Sequence, residues 1–181
     1  MKFKKIFSIG IIATLISVSV IADQTTRYTH SESGQLLTVD GPRTDVSDVT
    51  TYTYNEQGNL ATTTNPLGQV TTFISYDSRG NLLSMRDANG VVTEFTYHVR
   101  GWLLTSRVKH PIDSSLDAIT TYTYDAIGQL TSTVLSNGVS LSYEYDDARR
   151  LIAIENNAEE RIEYTLDAAG NRTKQVIKSS T

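Results

Sequence analysis

The sequence contains no cysteine, so neither a disulfide framework nor a lipoprotein attachment site is available to it. Clustered basic charge is also missing. Lys and Arg number 16 against 20 Asp and Glu, and beyond the first few residues Arg149-Arg150 is the only adjacent basic pair, beside Asp146-Asp147 in a local surface of mixed charge. Nucleic-acid phosphates demand clustered cations, so that partner class is excluded. Histidine is scarce. His30, His98 and His110 fall at an aromatic position, a turn and a loop, which is no arrangement for a metal ion, and no serine sits in a nucleophile elbow. With no catalytic constellation the chain reads as a non-enzyme without cofactors.

Only one long apolar run is present, from Ile6 to Ile21, preceded by Lys2, Lys4 and Lys5. At 16 residues it is short for a membrane span, which needs about 20. Residues 1–22 therefore read as a signal peptide with cleavage after Ala22, an uncleaved anchor being the alternative. Its removal takes away three lysines and no acid, moving the net charge from -4 to -7 over residues 23–181, with no further membrane span. No linker divides that stretch, which reads as one domain.

What the chain has in abundance is one phrase, repeated. It appears as Tyr54-Asn55-Glu56-Gln57-Gly58-Asn59-Leu60, as Tyr76-Asp77-Ser78-Arg79-Gly80-Asn81-Leu82 and as Tyr124-Asp125-Ala126-Ile127-Gly128-Gln129-Leu130. Other copies begin at His30, Tyr97, Tyr145 and Leu166, so the steps between copies are 24, 22, 21, 27, 21 and 21. Glycine recurs four residues after the aromatic, as at Gly101 and Gly170; in the copy carrying Tyr145, Asp146 and Leu151 the position is Arg149. All 10 tyrosines fall at the first position of a copy or two residues before it, which puts them on one face of a strand. Such self-similarity means one small unit used over and over.

Each unit reads as two strands and two turns. Asp77 suits the start of a type I turn and Gly80 the following position of positive φ, as in a hairpin with a glycine bulge. The strand through Arg86 meets Asp87-Ala88-Asn89-Gly90, and the return strand places Val91, Thr93, Phe95 and Tyr97 on one face. Gly68 and Gly138 repeat this second turn. Seven such units, at about 4.8 Å per strand, span on the order of 65 Å, too wide to lie flat. The expected fold is all-β: a curved antiparallel meander of about seven hairpin units, with Tyr and Leu rungs forming an inner or buried face.

The Tyr-Asp-x-x-Gly-Asn-Leu wording and the 21-residue step resemble the YD repeats of RHS (rearrangement hot spot) proteins, over nearly all of the chain after residue 22. That family includes bacterial polymorphic toxins, shell components of insecticidal toxin complexes, wall-associated proteins and teneurins. The resemblance implies an exported scaffold, in the periplasm, at the cell surface or outside the cell. Its partner would be a longer RHS chain or a toxin cargo, and any catalysis would reside in a separate C-terminal domain. Arrays that enclose cargo are several times longer and usually end in a proline-rich segment, so this chain is expected to be a piece or a short relative of such a shell.

A free-standing module that binds carbohydrate or another cell-surface ligand is the alternative. Rows of Tyr can stack on sugar rings, although a cross-strand ladder explains them equally. The recurring Asp77, Asp125, Asp146 and Asp167 supply one carboxylate per turn, too few for calcium. Two segments, 40–48 and 109–117, interrupt the period and read as surface insertions or as ligand-contacting loops. Asn171-Arg172-Thr173 matches a glycosylation acceptor but fits a bacterial-looking leader poorly. Open sheet edges allow self-association. The exported form of the chain is expected to begin at Asp23; N-terminal sequencing of the exported fraction checks this, and retention of Met1 would identify an anchor.

Overall fold

The computed structural model describes residues 24–179; the leader and its cleavage point at Ala22 lie outside the described residues. Fourteen strands follow one another: β1 (Arg27–His30), β2 (Leu36–Asp40), β3 (Val49–Tyr54), β4 (Leu60–Thr64), β5 (Val70–Tyr76), β6 (Leu82–Arg86), β7 (Val92–Tyr97), β8 (Leu103–Val108), β9 (Ala118–Tyr124), β10 (Leu130–Val134), β11 (Ser140–Tyr145), β12 (Leu151–Asn156), β13 (Arg161–Leu166) and β14 (Arg172–Lys178). They form one sheet in which spatial order equals chain order. This is the all-β meander of seven hairpin units that the repeat calls for.

Four of the six far-rim connections use the same turn chemistry as the opposite end of the strands. At the end that carries the aromatics, the aromatic rim, Gly80 donates its amide to the Asp77 carbonyl at 3.0 Å and Asp77 donates to the Asn81 carbonyl at 2.9 Å. At the far rim Gly90 bonds Asp87 at 3.0 Å and Asp87 bonds Val91 at 2.9 Å. Asn89-Gly90 is therefore not a two-residue loop. Asn89 keeps a negative φ while Gly90 sits at +86°, so this too is a type I turn closed by a left-handed residue.

A second device recurs that the repeat phrase did not announce. Tyr76 lies opposite Leu82, but Ser75 lies opposite Ser84, so Leu83 has no partner. The same slip occurs where Tyr54 pairs with Leu60 and Thr53 with Thr62, and at the corresponding place in each of the seven aromatic-rim hairpins. A bulge of this kind bends its strand and increases local twist. In five of the seven its sequence mark is a doubled apolar residue, as in Leu36-Leu37, Leu82-Leu83 and Leu103-Leu104, which breaks period-two alternation.

The irregular steps now have separate causes. Ile74 is an extra residue in β5, because Phe73 pairs with Met85 and Ser75 with Ser84, and this accounts for the step of 22. The steps of 24 and 27 come from the far-rim loops between β2 and β3 and between β8 and β9. The latter loop folds a 3₁₀ turn, Ser114–Leu116, capped by the Asp113 side chain.

The Tyr and Leu face is half-buried, not buried. Among the described residues only Ala153 and Thr133 are buried as whole residues. The physical reason is that the sheet is a single layer, so side chains cover one another along the face but nothing packs onto it from above. The opposite face carries cross-strand hydroxyl pairs in the open: Thr29–Thr38 at 2.7 Å, Thr53–Thr62 at 2.6 Å and Thr96–Thr105 at 2.7 Å.

Arg149 and Glu159 occupy turn positions filled elsewhere by glycine, with φ of 64° and 62°. Left-handed backbone is costly for a residue with a Cβ. Arg149→Gly and Glu159→Gly are each expected to stabilise the protein by about 1 kcal/mol, read as a rise in thermal midpoint; an unchanged midpoint for both would show that the side chains compensate.

Candidate functional site

Within each unit the aromatic-rim hairpin pairs along its whole length, whereas strands joined at the far rim pair only near that turn. Pairing of β4 with β5 runs from Thr64–Val70 to Thr62–Thr72 and stops. Toward the aromatic rim such strands diverge, leaving leucine carbonyls without a strand partner. The tyrosines fill the opening. Tyr54 donates its hydroxyl to the Leu36 carbonyl at 2.9 Å, Tyr76 to Leu60 at 2.7 Å and Tyr145 to Leu130 at 2.9 Å. Burial pushes the Tyr76, Tyr97, Tyr124 and Tyr145 phenols above their ordinary range.

The turn residues that follow are held by side chains. Asp77 Oδ1 accepts from the Arg79 and Asn81 amides at 2.8 and 2.9 Å, while its Oδ2 accepts from the Asn81 side chain at 2.8 Å. Asp146 uses Arg150 for the second role at 2.7 Å, and Asp167 uses Asn171 at 2.9 Å. These bonds, to the side chains of Asn81, Arg150 and Asn171 first of all, hold the three carboxyls below the usual carboxylate range. Successive turns are also tied together. Gln35 donates to the Gly58 carbonyl at 3.1 Å, Arg100 to Ala126 at 2.8 Å, Arg150 to Asp167 at 2.9 Å, and Arg79 to Val99.

The remaining repeat positions fall into the same scheme. Tyr54, Tyr76, Tyr97, Tyr124 and Tyr145 end β3, β5, β7, β9 and β11, and Leu60, Leu82, Leu130 and Leu151 open β4, β6, β10 and β12. Gly58, Gly80, Gly101, Gly128 and Gly170 all have positive φ. The structure strings these residues along one rim and does not gather them into one place.

One seam departs from the scheme. Trp102 stands where other units carry Asn, Gln or Arg, and its ring stacks on His98 with centroids 5.0 Å apart and leans on Tyr124 at 5.5 Å. The Arg100 guanidinium sits over the ring at 5.2 Å from its centre, and Gly128 of the next turn lies so close that a Cβ there would come within 2.6 Å of the indole. Trp102 thus ties its turn to the next by packing. Like Tyr97, and unlike Tyr54, Tyr76 and Tyr145, Tyr124 makes no hydroxyl bond to another described residue. A cleft of about 520 Å³ opens here, lined by His98, Trp102, Leu104, Tyr122, Tyr124 and Asp125 among others. Only the single tryptophan hinted at this place in the sequence.

The other sequence candidates are dispersed. His30 ends β1, and His110 lies in the loop before β9, where its Nδ1 accepts from the Asp113 amide at 3.1 Å. In the same loop the buried Asp117 carboxylate takes the His110 amide and the Arg107 guanidinium, each at 2.6 Å. Of the segment 40–48, Asp48 accepts from the Arg43 amide at 3.1 Å. Among the described residues no group of His, Asp or Glu could hold a metal ion, and no helix is long and apolar enough to cross a membrane. Arg161 is ringed by Glu144, Glu155 and Glu163 at 2.6, 2.8 and 3.0 Å, an ion-pair network on the hydroxyl face.

Because the folded carboxyls of Asp77, Asp146 and Asp167 are depressed, the stability they contribute is present above the unfolded carboxylate range, about pH 4, and is lost as pH falls through the folded values. A variant with all three changed to Asn, which retains an acceptor for the turn amides, is expected to show a flatter fall in thermal midpoint between about pH 6 and about pH 2. An identical acid limb would place the acid sensitivity elsewhere.

No curated protein sequence matches the chain. Solved structures do. The crystal structure of TcdB2-TccC3-Cdc42 superposes with a TM-score of 0.64 at 21% identity, covering 86% of this chain. TcdB2-TccC3 without its hypervariable C-terminal region gives 0.65 at 22% over 86%, and the Photorhabdus luminescens Tc holotoxin pore 0.63 at 20% over 85%. This chain spans 9% of the length of each of those chains. At such identities the likeness is one of fold. The family model described as Teneurin YD-shell matches residues 1–173, and with its recurrent aromatic, turn and glycine the chain belongs to the teneurin YD-shell family.

Proposed function

We propose that this chain is an exported, non-catalytic scaffold that presents or encloses another polypeptide. The observation that carries the reading is the single-layer sheet: a continuous half-buried face of Tyr, Leu and Phe runs across its strands with nothing packed on it. A second layer over such a face would remove apolar surface from water, and at roughly 25 cal/mol per Å² even a modest contact is favourable. A face built from backbone-bonded tyrosines on a regular sheet is suited to holding a chain without acting on it.

Membership in the YD-shell family and the fold shared with TcdB2-TccC3 assemblies support a polypeptide partner, either a longer chain of the same kind or a cargo. The leader at residues 1–22 and the array at 23–181 make the partner one met after export. Placing a photo-crosslinking phenylalanine analogue at Phe95 or Tyr143 on the aromatic face, and separately at Thr53 or Thr123 on the hydroxyl face, tests the reading in the producing cell. A discrete polypeptide adduct is expected from the aromatic face and not from the hydroxyl face. No adduct from Phe95 or Tyr143, or equal adducts from both faces, would overturn it.

A further inference from the structure

Three features of the β8–β9 seam point in one direction. At three other seams the wedge is closed by a tyrosine hydroxyl bonded to a leucine carbonyl, whereas here, as at Tyr97, the tyrosine hydroxyl has no partner among the described residues, and beside Tyr124 lies an open cleft of about 520 Å³. That size lies within the range of small-molecule clefts. At Asp77, Asp146 and Asp167 the second oxygen of the turn aspartate is taken by the side chain four residues on. At Asp125 that residue is Gln129, which donates to the Arg149 carbonyl at 3.4 Å instead. Asp125 Oδ1 accepts from the Ile127 and Gln129 amides at 3.0 and 2.9 Å, so its position is set while Oδ2 stays available. His98 Nδ1 accepts from the Arg100 amide at 3.2 Å, which leaves Nε2 as a donor toward the cleft.

The walls complete the set. Leu104 and Tyr122 supply apolar surface beside the aromatic face of Tyr124. The Trp102 indole is held by the stacked His98, by the Arg100 guanidinium 5.2 Å from its ring centre and by close approach to Gly128, so it acts as a rigid end wall. A ligand for this cleft needs an apolar ring face to lie on tyrosine and several hydroxyls around its edge to meet a carboxylate, a phenol and an imidazole. We propose that the cleft between the turns at 98–102 and 124–128 is a saccharide-binding site, specific for a pyranose unit of an oligosaccharide. An aromatic side chain of a peptide would fill the apolar part but leave Asp125 Oδ2 and the His98 donor unmatched. The site stands apart from the scaffold reading and does not require it.

Trp102 is the only tryptophan in the chain, so its fluorescence reports on this cleft alone. The full chain would be titrated with oligosaccharides of glucose, galactose and N-acetylglucosamine, and in parallel with a tyrosine-rich peptide. A saturable change with at least one saccharide is expected, with Kd raised roughly tenfold or more in Asp125→Asn and in Tyr124→Phe. Asn55, Asn65 and Asn156 hold equivalent turns elsewhere, so Asp125→Asn keeps its amide bonds, and Tyr124→Phe keeps the ring should the first variant lose stability. No saturable response to any of these saccharides, a response unaltered in both variants, or a response to the peptide alone would overturn the proposal.

Discussion

The constraint on which this structure depends is that a single-layer sheet must satisfy its backbone without the help of a second layer. Most amides and carbonyls are met within the strand ladder. The exceptions arise where neighbouring hairpins diverge, and at three of those places a tyrosine hydroxyl reaches across to the leucine carbonyl of the preceding unit, as from Tyr76 to Leu60. The tyrosine is long enough to span the opening and amphipathic enough to cover it while its hydroxyl bonds at the far end. An ordinary apolar residue would fill the gap and leave the carbonyl to water.

From that bond the other features follow. Divergence needs a bend, and the bend comes from the bulge that leaves Leu83 and its counterparts unpaired. With the bulge repeated in every hairpin, the rims of successive units lie close enough for Gln35 to reach Gly58 and Arg150 to reach Asp167. The turn carboxylates fix the loop that presents each such side chain. Stability is therefore spread over many small, similar contacts between neighbours, as in other repeat architectures, and no central core is required. A seam that lacks one of these contacts can open without unravelling the rest, which is the situation around Trp102.

Much of this was legible beforehand. The recurrence of tyrosine, aspartate and glycine announced strand ends and turns, because a type I turn with a left-handed closing residue needs those side chains at those spacings. Arg149 was visible as an exception; Glu159, its counterpart at the far rim, was not recognised, because the far-rim turns vary more in wording. Three of the seven bulges were written as doubled leucines and could have been read as a break in period two. Ile74 carried no comparable mark, since a lone extra residue in a strand looks like any other isoleucine. The open oxygen of Asp125 was beyond reach, because it depends on where the Gln129 side chain points.

What the sequence determined by itself was everything that repeats: strand length, turn type, the order of hairpins and the face that carries aromatics, all of which arise from interactions between residues a few positions apart. What only the tertiary structure decided was whatever depends on the meeting of two units, about twenty residues apart in the chain: which tyrosine hydroxyls find a carbonyl, that Trp102 lies against Gly128, and that the β8–β9 seam stays open. Contacts at that separation depend on the accumulated bend and twist of the sheet, and small angular differences between neighbouring bulged hairpins determine whether a wedge closes on a hydroxyl or remains a cleft.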